Sequence, residues 1–301
     1  MDYRRFKLVA TLKAGDVCVR SVAWFRDDNR LAASREDGSL QLWNGESREL
    51  KDAIVAHPDC AYAIALSPHA AIAASAGRDG SVRLWSVKGD KFAPETALLV
   101  NGPRTFSVLF SPDGRDLFAG SENGEIRQWE VKTRKLLRVL RVHKRSVESL
   151  ALTSDGRRLV SAGGSENIAI CWNTHSGEKT GVLKHGGVVQ CVAISRDNDR
   201  IAIGGLDGIA AKWSWDGGQP TMSWANGTGI WGVSFSADGS VIATGGLDPV
   251  VKVWSTTSGE LLAAIPVNAR VYSVVFSRKG DCLATGDEAG NIKIWDFSRG
   301  E

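Results

Sequence analysis

Short runs in which apolar and polar residues alternate recur along the whole chain, and seven of them close on tryptophan: LQLW, VRLW, IRQW, IAICW, IAAKW, VVKVW and IKIW. Alternation with a period of two predicts half-buried β-strands. The closing residues are Trp43, Trp85, Trp129, Trp172, Trp213, Trp254 and Trp295, spaced 42, 44, 43, 41, 41 and 41 residues apart. A period in the forties ending on tryptophan fits one four-stranded antiparallel sheet per repeat. The pattern therefore predicts an all-β chain, a seven-bladed β-propeller.

The third repeat shows the grammar most clearly. Ser107–Phe110 ends an inner strand a, SPDG (Ser111–Gly114) turns the chain, Asp116–Gly120 forms strand b, SENG (Ser121–Gly124) turns again, and Glu125–Trp129 forms strand c. Pro, Asp and Gly suit the dihedrals of tight turns, and similar segments recur as TSDG, SADG and SRKG. Along strand a one face is bulky and the other nearly bare, as in Tyr272-Val274-Phe276 against Gly232 and Ser234 of the preceding repeat. Wedge-shaped packing around an axis demands that contrast, because inner strands crowd most closely.

The two ends of the chain explain each other. After Trp295 only DFSRGE remains, too short for a fourth strand, whereas FKLVATL (Phe6–Leu12) is surplus before the first strand a. The expectation is that residues 1–12 supply the outer strand of the last blade, so that residues 1–301 form one closed ring with no unpaired inner edge.

Composition changes this picture little. There are 37 basic and 34 acidic residues, a near-neutral balance that argues against a nucleic-acid partner. No apolar run reaches membrane-spanning length. Five cysteines at irregular spacing, with no CxxC pair, point to reduced thiols and a cytoplasmic setting, and no metal or cofactor motif is present.

On its tryptophan-ended units and the final Trp295-Asp296, the chain resembles the WD-repeat β-propeller family over its whole length. The resemblance implies a buried hydrogen-bond set of His, Ser or Thr, Asp and Trp in well-formed blades. Only His57, Ser75, Asp79 and Trp85 are all in place; His143 and Ser161 are followed by an extra residue before Trp172, Ile203 replaces the hydroxyl beside His185 and Asp207, and the repeat of Trp254 keeps Thr244 and Asp248. His57, Ser75 and Asp79 match a hydrolase triad in composition, but recurrence of the histidine spacing favours a structural role, in which His57 is expected to be buried. His69 and His175 read as turn histidines facing solvent. Cys18 and Cys60 hold equivalent loop positions, without the ligand cluster a metal site needs.

What remains is recognition. The first residues of the inner strands, Arg20, Tyr62, Phe106, Glu148, Gln190, Trp231 and Tyr272, are expected at the mouth of the central channel, on the face of the d–a and b–c loops. In the family this position lines a pocket for extended peptides. Four aromatics with one carboxylate suit a cationic group, while simple plugging of the channel suits the same residues. Leu206 and Leu247, each before a turn aspartate, form a second candidate patch. The expected function is a non-catalytic, monomeric scaffold binding a protein or peptide partner, with no membrane contact. The alternative is a subunit of a nucleoprotein assembly using Arg20, Arg104, Lys144 and Arg145 on phosphates.

Overall fold

A computed structural model describes residues 6–297 and contains seven four-stranded antiparallel sheets. The first six follow chain order from the inside outwards, as in blade 1: Val19–Trp24, Arg30–Arg35, Ser39–Asn44 and Leu50–Val55. The seventh combines both ends of the chain. Its order is Lys7–Lys13, Asn291–Asp296, Cys282–Asp287 and Val271–Phe276, so the N-terminal strand takes the outermost place.

The closing strand begins one residue later than the sequence pattern indicates, and its register runs from Lys7 opposite Asp296 to Lys13 opposite Asn291. Residues 1–5 of the expected 1–12 segment, and residues 298–301, lie outside the described residues. Ala10 and Leu12 point inward and join a cluster that spans the seam, with Val19 and Leu31 of blade 1 and Ile292 and Ile294 of blade 7. Phe6 packs on Phe297 at 4.9 Å between ring centroids, and Phe297 packs on Phe276 at 5.0 Å.

Two devices hold neighbouring blades together. The first residue of every inner strand (Val19, Ala61, Thr105, Val147, Val189, Ile230 and Val271) is completely buried. It rests against the preceding blade, where the next-to-last residue of strand b is small. A Cβ on Gly120 would approach Val147 Cγ1 to 2.5 Å, and one on Gly286 would approach Val19 Cγ1 to 2.7 Å across the seam. Repeated glycines such as Gly204 and Gly245 are therefore steric requirements of the blade interface. The second device is serine on the bare face of strand a. Ser107 Oγ accepts the Leu150 N–H (3.2 Å), and Ser273 Oγ accepts the Val22 N–H (3.0 Å), which links blade 7 to blade 1.

Candidate functional site

Strand pairing gives the seven predicted residues a common cause. In all seven blades the register between strands a and b slips around the second residue of strand a: Arg20, Tyr62, Phe106, Glu148, Gln190, Trp231 or Tyr272. A bulge of this kind leaves one residue without a cross-strand partner and re-aims its side chain. The seven predicted residues thus sit second, not first, in their strands, and each is half-buried.

Five of them touch in sequence from blade to blade. Trp231 stacks on Tyr272 at 4.5 Å with 18° between the planes, and Tyr62 meets Phe106 edge-on at 5.0 Å. Between these pairs lies Arg20, its guanidinium carbon 4.7 Å from the Tyr272 centroid and 5.3 Å from that of Tyr62. The aromatic cluster therefore already holds the protein's own cation, a through-space relation that strand spacing does not reveal. Glu148 and Gln190 lie between Phe106 and Trp231 in blade order. Burial raises the pKa of Glu148, and its carboxylate accepts the Ser146 hydroxyl.

The remaining sequence candidates fall nearby or prove structural. Leu206 and Leu247 are 43% and 37% exposed and approach each other over Gly229, where an added Cβ would meet both. Arg104 pairs with Glu122 at 3.7 Å, whereas Lys144 and Arg145 are exposed. Cys18 and Cys60 are both buried beside Arg20, and burial pushes the Cys18 thiol up to about 12. Among the described residues no group of three or more His, Cys, Asp or Glu side chains has metal-binding geometry. No helix there is long and apolar enough to cross a membrane.

The triad look-alike is sealed in. His57 is 1% exposed and Ser75 has no exposure. Trp85 Nε1 donates to Ser75 Oγ (2.9 Å), Ser75 Oγ lies 2.8 Å from His57 Nε2, and His57 Nδ1 lies 2.9 Å from Asp79. A neutral imidazole closes the donor count: indole to hydroxyl, hydroxyl to Nε2, Nδ1–H to carboxylate. With Ser75 fully buried beneath Trp85, the hydroxyl presents no surface to a substrate.

The sequence indicated one such complete set; the structure contains a second. In blade 4 the extra residue is taken up by a 3-10 turn, Gly164–Glu166, followed by Asn167 in the left-handed region at φ 57°. The turn moves the acidic position one residue along, and Glu166, one methylene longer than Asp, reaches His143 Nδ1 at 3.0 Å. His143 Nε2 and Trp172 Nε1 both meet Ser161 Oγ, at 2.9 and 3.0 Å. Acidic Glu166 followed by Asn167, a residue tolerant of positive φ, was the available signal. Blade 6 uses Asn226 in the histidine position, bonded to Thr244 Oγ1 at 2.9 Å, which in turn accepts from Trp254. In blade 5 His185 reaches only Asp207, at 3.2 Å, and the buried Trp213 Nε1 has no partner.

Burial holds His57 and His143 below the ordinary imidazole pKa, against the opposing pull of Asp79 and Glu166. A depressed folded-state pKa means that the unfolded chain binds protons first as pH falls below about 6.5, so stability is lost with acidification. We expect the melting temperature to drop between pH 7.5 and 5.5, and to drop less in a His57→Asn, His143→Asn double variant. Thermal melts at the two pH values check this; equal drops in both proteins would refute it.

Comparison with known families agrees with the geometry. The family model described as IFT122 first beta-propeller matches residues 104–301, about two-thirds of the chain, and the one described as WD domain, G-beta repeat matches residues 6–44 and 48–86. The chain belongs to the WD-repeat β-propeller family. It is 26% identical over 171 residues to autophagy-related protein 16 of Arabidopsis thaliana, covering 56% of this chain and 33% of that protein. It is 27% identical over 154 residues to meiotic recombination protein rec14 of Schizosaccharomyces pombe, covering 50% of each. With human apoptotic protease-activating factor 1 it shares 28% identity over 161 residues, covering 51% of this chain and 12% of the relative. The matches thus span half or less of these relatives' own lengths.

Proposed function

We propose that this WD-repeat propeller is a non-catalytic interaction platform that holds a peptide segment or partner subunit at the channel mouth, on the face of the d–a and b–c loops. The observation that supports this reading is the bulge repeated at the same position of every blade, together with the contacts that join five of the seven side chains across blades. The seven residues combine four aromatics with an arginine, a carboxylate and an amide, a mixture suited to recognition. With Arg20 occupying one side, a partner's cationic or hydrogen-bonding group enters between Phe106 and Trp231, over Glu148 and Gln190. Leu206 and Leu247 add an apolar flank on the same face.

The relatives carry names from autophagy, meiotic recombination and protease activation, which share no reaction; a common platform fits them better than a common chemistry. We read the propeller as a monomer in a reducing, cytoplasmic setting, in keeping with its free cysteines. Arg20 and Arg104 already have partners within the molecule, which weighs against the nucleoprotein alternative.

A Phe106→Ala, Trp231→Ala variant is expected to lose the proteins that wild type retains in a pull-down read by mass spectrometry. Because both side chains are only half-buried, its melting temperature should stay within a few degrees of wild type. Retained capture with lowered stability would reduce the mouth aromatics to a structural plug.

A further inference from the structure

The opposite end of the channel carries a cavity of about 600 Å³ bounded by the a–b turns. Its lining includes three arginines (Arg26, Arg196 and Arg278) and His69, but not a single carboxylate. Behind the arginines the wall is apolar, with Leu66, Leu152, Ile194 and Phe235. We propose that this cavity binds a small phosphorylated molecule, its phosphate held by Arg196 and Arg278 with Arg26 alongside.

The three arginines occupy one register position, the second residue of the a–b turn, in blades 1, 5 and 7; the other blades place proline, serine or alanine there. They also converge. Arg196 reaches past the small Ala237 of blade 6 to the carbonyl oxygen of Arg278, at 3.5 Å. Arg26 lies 3.1 Å from His69 Nδ1, and His69 Nε2 lies 2.9 Å from the Pro112 carbonyl, which anchors the rim across blades 2 and 3.

Acidic residues near these turns are held by hydrogen bonds of the turns themselves and do not line the cavity. Asp113, Asp155 and Asp197 accept the hydroxyls of their own turns. Asp28 accepts the backbone N–H groups of Arg278 and Lys279, at 2.9 and 2.8 Å. Among the described residues no carboxylate lies within ion-pair distance of Arg26, Arg196 or Arg278. Burial lowers the pKa of Arg278; the nearby Asp28 carboxylate opposes this, and the charges of Arg26 and Arg196 add to it. Three like charges against the single carboxylate of Asp28 leave a net positive, partly desolvated mouth that a bound anion would stabilise. Guanidinium forks suit the tetrahedral oxygens of phosphate, and the volume lies in the range of small-molecule sites.

The probe is pyrophosphate, added to the intact chain in a chloride buffer free of phosphate and sulfate, with melting and calorimetric titration as readouts. Wild type should show saturable binding and a melting temperature that rises with ligand. Arg196→Gln or Arg278→Gln should each weaken binding at least about tenfold, and the pair about a hundredfold. The variants should melt normally without ligand, since they remove repulsion and no ion pair. If the double variant does not fold, Arg196→Lys, which keeps the charge and loses the fork, should still bind several-fold more weakly. No melting shift in wild type beyond that of chloride at equal ionic strength, or equal binding by the variants, would overturn the proposal. So would a hexaglutamate peptide that binds as tightly as pyrophosphate.

Discussion

Deleting residues 1–13 is expected to abolish soluble, cooperatively folding protein. The segment supplies the whole outer strand of blade 7, six residue pairs against Asn291–Asp296, and seats Ala10 and Leu12 in the cluster that spans the seam. Without it, Ile292, Ile294 and Trp295 lose cover and the strand edge beneath them is exposed. Each lost strand hydrogen bond costs about 0.5–1.5 kcal/mol and each large apolar side chain returned to water about 1.5–3 kcal/mol. Together these approach the roughly 5–15 kcal/mol by which a typical domain is stable. An exposed apolar edge then favours aggregation over a merely loosened monomer. The check is soluble yield and melting of the truncated chain, beside a circular permutant in which residues 1–13 follow residue 297 through a flexible linker. The permutant should recover folding, because it restores the same sheet from the other end. A soluble truncation with an unchanged melting temperature would show that the ring does not depend on this strand.

Much of this architecture was legible because its signals are local and repeated. The tryptophan spacing, the turn segments and the surplus Phe6–Leu12 each fix an element without knowledge of its neighbours. The candidate mouth was legible as a set of positions, since equivalent residues of a repeat must lie on one circle. Its chemistry was not. That Arg20 fills the space between Tyr62 and Tyr272 depends on three different blades meeting at the axis. The bulge that aims these residues exists only as a mismatch between paired strands, and no single strand encodes it. Glu166 was obscured by an insertion that fixed-spacing logic treats as a break, whereas the backbone absorbs it in one 3-10 turn. The arginines at the far mouth each look like an ordinary polar turn residue. Only closure of the ring brings blades 5, 7 and 1 together and turns three solvated charges into one field.

The second large effect concerns that hidden set in blade 4. His143→Ala should destabilise the protein by about 3 kcal/mol, since it opens a cavity and takes the imidazole partner from the fully buried Ser161 hydroxyl. For a domain of this size, roughly 2–4 °C of melting temperature accompanies each kcal/mol, so a fall of about 6–12 °C is expected. His185→Ala is the informative comparison. The two histidines are almost equally buried, 8% and 9% exposed, so burial alone predicts equal losses. Their partners differ: His143 joins Glu166 to a hydroxyl that also serves Trp172, whereas His185 bonds only Asp207 and leaves Trp213 without a partner either way. His185→Ala should therefore cost clearly less. Adding Ser161→Ala to His143→Ala should cost less than Ser161→Ala does in wild type, because coupled members of one network do not add. Equal losses for the two histidines, or simple additivity of His143→Ala and Ser161→Ala, would mean that the blades are held by apolar packing and that the polar chain through Glu166 merely fills space.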